Sequence, residues 1–489
     1  MTDYARHEHH DFPGAVARAL ADAPLQQALV RLTGTLMAGN RRGYAALADS
    51  DRLRDHAKRI KEHTLANLDA YLEQLEASVH RAGGHVHWAA TAADARRIVL
   101  DIAHGAGCKR AVKSKSMTTE EIHLNPALEA AGIEVTETDF GEFIIQLAGE
   151  RPSHLVAPAV HHTRESIARI LSRALGKQLP DDARTLALTG RRVLREKFYH
   201  ADLGITGANF AVAETGTIVL VTNEGNGRLT TTCPRVHVVL MGMEKVIPRW
   251  ADLPVFLKLL ARAATGQALS VYTTLITGPR RDGELDGPDE FHLVILDNGR
   301  SRVLATPFRE SLQCIRCGAC LNACPVYRRI GGHAYGGVYS GPIGSILTPL
   351  YDSVSENAHL PHASSLCGAC QAACPVKINI PHMLIGLREL QHREQPRRWE
   401  ELAYTVWKEV LKRPWLYRLA LRLARLALRP LTRDGWLRRL SGPLAGWTAT
   451  RDFPAPARRS FRQRWRELER EGEQAQFPLA PRGGERGRG

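Results

Sequence analysis

The chain has 489 residues, long enough for roughly two to four domains, and its 44% apolar content is that of a globular protein, which excludes a disordered or fibrous chain. The net charge is +15, but residues 391–489 carry 23 Lys/Arg against 11 Asp/Glu and so supply +12 of it; the basicity belongs to the C-terminal region, and no nucleic-acid partner is expected. The start, MTDYARHEHHDFPG, has no basic run leading into apolar residues, and no uncharged apolar stretch reaches membrane-spanning length, so the chain reads as cytoplasmic.

Residues 1–59 read as an N-terminal helical region, with His7, His9 and His10 in a mobile tail rather than a metal site. Residues 51–80 read as one amphipathic helix, because Leu53, Ala57, Ile60, Thr64, Leu68, Leu72, Leu75 and Val79 recur at three- and four-residue steps. An α/β domain is expected over 60–305. HVHWAA (85–90), KRAVKS (109–114), IEVTET (133–138) and HLVAPAV (154–160) read as strands with helices between them. Residues 117–132 read as one helix with a capping box from Thr118 to Glu121, closed at Gly132. Further strands are GTIVLVT (216–222), VHVVLMG (236–242), LSVYTTLITG (269–278) and FHLVILDNG (291–299). Alternating strands and helices predict a mostly parallel sheet.

Within this domain Lys113, Ser114, Lys115 and Ser116, and Gly225, Gly227 and Arg228, could cradle an anion such as lactate or phosphate, or simply turn the chain. Glu214 in AETGT reads as a hydrogen-bonding carboxylate beside a tight turn rather than a nucleophile. No G-x-G-x-x-G stands between strand and helix, so no nicotinamide or flavin fingerprint is present.

A cysteine-rich module follows at 306–385. Seven of nine cysteines lie between 314 and 374; Cys108 and Cys233 read as buried small hydrophobes. Cys314-x2-Cys317-x2-Cys320-x3-Cys324-Pro325 is the bacterial ferredoxin run, in which three thiolates serve one cluster and the fourth serves its neighbour. A second copy fifty residues on reads Ser364-x2-Cys367-x2-Cys370-x3-Cys374-Pro375. Structural zinc has no use for the third cysteine and the Cys-Pro. The implied cofactors are two iron–sulfur clusters of the 4Fe-4S type. The crossed pattern assigns Cys314, Cys317, Cys320 and Cys374 to cluster one. Cluster two takes Cys324, Cys367 and Cys370, with Ser364 at the missing-ligand position. An alkoxide ligand, a three-iron cluster and an open iron are the readings of that corner; three retained thiolates and an intact Cys-Pro argue against the alternative that the motif has decayed and cluster two never forms. Residues 390–480 read as a basic helical region with Arg418, Arg422, Arg425 and Arg429 on one stripe, suited to packing or docking more than to peripheral membrane contact. Residues 481–489 read as a disordered tail.

Residues 113–161 and 204–248 resemble the lactate-utilization (LUD) domain. With the ferredoxin run and the Trp/Arg-rich C-terminal region, the order over about 60–480 resembles the lactate utilization protein B family. The resemblance implies a fold similar to the NagB/RpiA/CoA-transferase type, followed by a mainly α-helical ferredoxin-type domain and a helical C-terminal region. It implies an iron–sulfur electron carrier in L-lactate oxidation to pyruvate. The implied partners are other lactate-utilization proteins, a CCG-domain subunit and a second LUD-domain protein, together with a redox donor and acceptor. The family's cysteine ligands map onto the seven clustered cysteines. A carrier subunit is expected rather than a self-sufficient enzyme. The alternative is an organic-acid-binding oxidoreductase that uses the incompletely ligated cluster directly.

Overall fold

A computed structural model of the chain describes residues 10–474 apart from 397 and 458; His7, His9 and the expected disordered tail lie outside the described residues. Residues up to Gln395 form one compact unit, and those from Pro396 a second.

The first unit is built on a six-stranded parallel sheet. In chain order its strands are β1 (His85–Ala89), β2 (Arg110–Lys113), β3 (Glu134–Glu137) and β4 (Leu203–Thr206). After a smaller sheet's β5 (Phe210–Val212) and β6 (Thr217–Thr222) come β7 (Val236–Gly242), β8 (Val246–Ile247), β9 (Tyr272–Ile276) and β10 (Glu290–Leu296). The spatial order β1-β10-β7-β4-β2-β3 puts the most continuously apolar strands in the middle, as a parallel sheet covered on both faces requires. Alternation sends Val238, Leu240, Val294 and Leu296 to one core, under the helix Ala92–Gly105. Val239, Met241, Leu293 and Ile295 point to the other, larger core. That second core is shared with the mixed sheet β8-β5-β6-β9, the helix Leu253–Ala264 and the cysteine module.

Three local expectations are corrected. The amphipathic stretch 51–80 is two helices, Ser50–Ala66 and Leu68–Arg81, broken at Asn67 (φ −129°), whose amide donates to the His63 carbonyl. The stretch 117–132 is also two helices, Met117–Glu121 and Leu124–Ala130, and Ser116 rather than Thr118 caps the first. Glu121 is not a capping residue: it is fully buried against Arg300. HLVAPAV forms no strand, because buried His154 accepts the N–H groups of Val156 and Ala157 at Nδ1 and folds the segment into a turn.

The second unit holds the helices Arg398–Lys412, Pro414–Leu428 and Phe461–Gln474 and a short antiparallel pair, Trp436–Leu437 with Phe453–Pro454. The first two of these helices bury no residue completely. Among the described residues no helix is long and apolar enough to cross a membrane.

Candidate metal centre

The two cysteine motifs fold alike. Arg316 (φ 59°) and Gly318 (φ 75°) in the first copy match Leu366 (φ 55°) and Gly368 (φ 81°) in the second. Left-handed residues two and four places after the first ligand position turn the chain back on itself, so that thiols three apart stay on the inside of the loop. One-turn helices follow, Ala319–Ala323 and Ala369–Ala373, and each ends at an extended cysteine, Cys324 or Cys374, before proline. The Cys314 sulfur accepts the Arg316 N–H at 3.4 Å, and Ser364 Oγ accepts the Leu366 N–H at 3.2 Å. Ser364 therefore occupies the backbone role of Cys314.

Cys314, Cys317, Cys320 and Cys374 ring one cavity, closed by Ile343 and Ile378. Burial pushes the Cys374 thiol up to about 12, and neighbouring Cys314 adds to it. Cys320 is driven up by burial and then by Cys314, Cys317 and Cys374. Cys370 is pushed up to about 11 by burial, then by Cys324 and Cys367. The thiols thus repel one another in a group of four and a group of three, though Cys370 also acts on Cys320. Buried soft donors whose charges repel are stable as thiolates only around a cationic core, so this donor set fits iron–sulfur clusters. The groups differ in access: Cys317, Cys320, Cys324, Cys370 and Cys374 are buried, whereas Cys367 is exposed and is lowered chiefly by the Ala369 N–H. Backbone N–H groups also reach sulfur at Cys324 (Tyr327, 3.5 Å) and Cys374 (Ile378, 3.4 Å).

Much of the surroundings of the first group comes from distant sequence. Arg54, on the helix Ser50–Ala66, donates to the carbonyls of Cys374 (3.1 and 2.8 Å) and Ala372 (2.7 Å), and Tyr44 lies close enough to Cys317 to feel its charge. Arg300 binds Glu121 through Nη1 and Nη2 (2.9 and 2.8 Å) and Glu244 through Nε (2.7 Å). Arg316 reaches the other oxygen of Glu244 at 3.4 Å, and Tyr339 donates to Glu121 at 2.5 Å. This buried network ties the parallel sheet to the first cysteine loop. Spacing arguments could not find Arg54, Tyr44 or Glu244, because they lie tens to hundreds of residues from the ligands; only Glu244 carried a signal, as a charge within the apolar run VVLMGMEKVIP.

The suggested anion cradle is only partly assembled. Lys113 is buried and spent on Glu137 (2.7 Å) and Glu120 (2.8 Å). Lys115 pairs with Glu142 at 3.2 Å. Ser114, Lys115 and Ser116 line a cleft that also contains Lys245, Arg316 and Cys317, while Gly225, Gly227 and Arg228 do not line it. Glu214 accepts the Trp250 N–H at 2.7 Å. Cys108 is buried, but Cys233 is exposed, against expectation. Glu150 meets His161 (2.7 Å) and His162 (3.0 Å) in a further group that the sequence reading passed over.

Residues 72–296 match the LUD domain, 310–378 the 4Fe-4S dicluster domain, and 387–470 the C-terminal domain of lactate utilisation protein B. Lactate utilization protein B of Shouchella clausii (strain KSM-K16) is 44% identical over 463 residues, covering 94% of this chain and 98% of that one. Those of Bacillus licheniformis (48% identical) and Bacillus subtilis strain 168 (46%) each align over 419 residues, 85% of this chain and 88% of theirs. The cysteine module is accordingly a 4Fe-4S dicluster domain with iron–sulfur clusters as its cofactors, set between a LUD α/β domain and a helical C-terminal region. The chain belongs to the lactate utilization protein B family.

Proposed function

We propose that this protein is the iron–sulfur electron-transfer subunit of a system that oxidises L-lactate to pyruvate in the cytoplasm. The observation that carries the reading is the gathering of Cys314, Cys317, Cys320 and Cys374 around one cavity, three of them buried and Cys314 half-buried, while the remaining three thiols reach the surface at Cys367. In this reading Cys314, Cys317, Cys320 and Cys374 hold cluster one, and Cys324, Cys367 and Cys370 hold cluster two, with Ser364 at its fourth corner. When bound, the clusters supply one-electron acceptance and release. The chain supplies the setting. Apolar packing excludes water from the first site, backbone N–H groups donate to sulfur, and Lys61 and Lys245 bring positive charge near Cys314, which favours the reduced state there. Exposed Cys367 gives the second site a short path to a partner. The naming of its relatives supports work alongside other lactate-utilization proteins, and we extend this to a CCG-domain subunit and a second LUD-domain protein. The basic stripe Arg418, Arg422, Arg425 and Arg429 offers such partners a docking surface.

The test is anaerobic reconstitution of the full chain, with iron and sulfide counted and EPR recorded before and after dithionite. About eight irons per chain and reducible signals from two clusters are expected. Stoichiometric zinc without sulfide, or clusters that dithionite does not reduce, would overturn the reading.

A further inference from the structure

The segment between the helices Phe140–Ala148 and Arg164–Leu175 contains HLVAPAV, and its two ends meet. Glu150 stands at its start and His161 and His162 at its end, with a carboxylate oxygen and two ring nitrogens all within 4.8 Å of one another. Electron transfer gives this group no task. Between its ends the segment straps the cysteine module to the α/β domain. The Arg151 carbonyl accepts from His333 Nε2 at 2.7 Å, the Ser153 carbonyl accepts from the Tyr327 hydroxyl at 2.7 Å, and His154 bonds Asn322 at 2.9 Å.

The junction is one cation short. Glu150 Oε2 faces His161 Nε2 at 2.7 Å and His162 Nε2 at 3.0 Å. The Ser166 hydroxyl donates to the Thr163 carbonyl at 2.9 Å, so toward His162 Nδ1, 3.1 Å away, it is an acceptor. A neutral imidazole has one N–H. His162 spends it on Ser166, and its Nε2 then presents a lone pair to a carboxylate oxygen. Two acceptors 3.0 Å apart repel unless a cation lies between them. A second proton on His162 would serve that pair alone, whereas a metal ion serves both rings and the carboxylate at once.

The donors identify the ion. Two imidazole nitrogens and one carboxylate oxygen suit a borderline ion such as Zn2+, whereas Mg2+ and Ca2+ take oxygen ligands. Bonds of about 2.0–2.1 Å at tetrahedral angles set donor atoms roughly 3.3 Å apart, so the observed spacing asks for little side-chain movement. The side chains of His161 and His162 are 14% and 11% exposed and that of Glu150 is 40% exposed, which leaves a fourth position to water. Ser166 orients the His162 ring from behind, as the outer partners of metal-bound histidines do. His161 Nδ1 is buried without a partner, and the His333 ring stands edge to face against it with centroids 4.6 Å apart. Because His333 donates from Nε2, its Nδ1 is an acceptor for the N–H that a metal-bound His161 keeps.

We propose that Glu150, His161 and His162 hold one Zn2+ ion, with Ser166 as a positioning residue, and that the ion closes residues 150–162 into a clamp on the cysteine module. The site uses none of the clustered cysteines, and it stands independently of the carrier role proposed above.

The experiment is equilibrium dialysis of the full chain, reconstituted with iron and sulfide, against buffered Zn2+, with zinc and iron counted in each sample by mass spectrometry. Expected is about one zinc per chain beside the full iron content, half-saturated at or below about 1 μM. Affinity should fall about a hundredfold with His162→Ala or Glu150→Gln and about tenfold with Ser166→Ala, while iron and the EPR of the reduced clusters stay as in the parent. Ser166→Ala keeps all three ligands and removes a single hydroxyl, so it carries the test if a ligand variant fails to fold. The proposal is overturned if no zinc is retained at about 10 μM, if Mg2+ at equal concentration displaces it, or if folded variants retain it as the parent does, which would place the ion on the cysteines. Iron content separates this site from the carrier role. Reducible clusters without zinc uptake would sink the site and leave the carrier, and zinc lost with these substitutions from protein that takes up no iron would do the reverse.

Discussion

The two cysteine motifs share a backbone and differ in what surrounds them. The first copy lies under the N-terminal helices and against the parallel sheet, its loop fixed by the buried network of Arg300, Arg316, Glu121 and Glu244. The second copy ends under the same cover at Cys374 but begins in the open, with Ser365 and Cys367 exposed. With the fourth cysteine of each run assigned to the other group, as proposed above, each site draws on both copies, and the contrast becomes one between a mostly buried site and a half-exposed one. Duplication therefore fixes the fold of a cysteine loop, and the rest of the chain decides how water and partners reach it.

The sharpest way to break this comparison is to delete one ligand from each site. Cys317→Ala and Cys367→Ala should each cost about half of the iron, read by colorimetric assay. Thermal unfolding should separate them: Cys317→Ala should unfold far earlier, because it empties a site built into the main core, while Cys367→Ala should stay close to the parent. Equal losses of stability would mean that the burial difference has no energetic content. Metal removal gives the next largest effect. Chelator added to the reduced protein should strip iron in two phases, the half-exposed site first and the buried site only on unfolding. A single phase would merge the two sites.

The cysteine loops were legible in the sequence because ligand spacing is local: residues three apart in a tight loop share an interior whatever the remainder of the chain does. Of the parallel sheet's inner strands β7 and β10 were legible for a similar reason, since runs such as VHVVLMG have a single stable setting, whereas β4 (Leu203–Thr206), only four residues long, passed unread. What failed was decided at long range. Glu121 matches the spacing of a capping box, but Arg300, 179 residues away, claims it. HLVAPAV has the composition of a strand, yet buried His154 satisfies its own neighbours' N–H groups and bonds Asn322 of the cysteine module at 2.9 Å. The cleft was half visible as Ser114, Lys115 and Ser116; Lys245 joins them through the turn after β7, and Arg316 only once the module folds against the sheet.

A pair of arginines offers a smaller and more selective comparison. Arg54 fixes the end of the second motif through the carbonyls of Ala372 and Cys374, next to the buried site. Arg388 fixes its beginning through the carbonyls of Pro361 (3.0 Å) and Ser364 (3.2 Å), next to the half-exposed site. Arg54→Ala should destabilise the protein by about 1.5–3 kcal/mol in denaturant unfolding, as charge-assisted hydrogen bonds do where water is excluded. Arg388→Ala should cost about half as much and should speed the first phase of iron loss without changing the second. Interchanged effects would mean that the crossed assignment of cysteines to sites is wrong.

The smallest expected change comes from Ser364→Cys. Ser364 Oγ already makes the N–H contact that the Cys314 sulfur makes, so a thiol there needs no backbone movement and leaves unfolding unchanged. If the half-exposed site carries four irons with one corner lacking a thiolate, iron stays at about eight per chain and the substitution only slows the first phase of chelation. A rise from about seven irons to eight would instead identify a three-iron site completed by the new ligand. The buried site should not respond in either case, since all four of its thiols lie outside the altered corner. A Ser364→Cys variant that shifted the slow phase would show that the sites are coupled through the loops, and the contrast between a buried and a half-exposed centre would then have to be redrawn as one between two ends of a single unit.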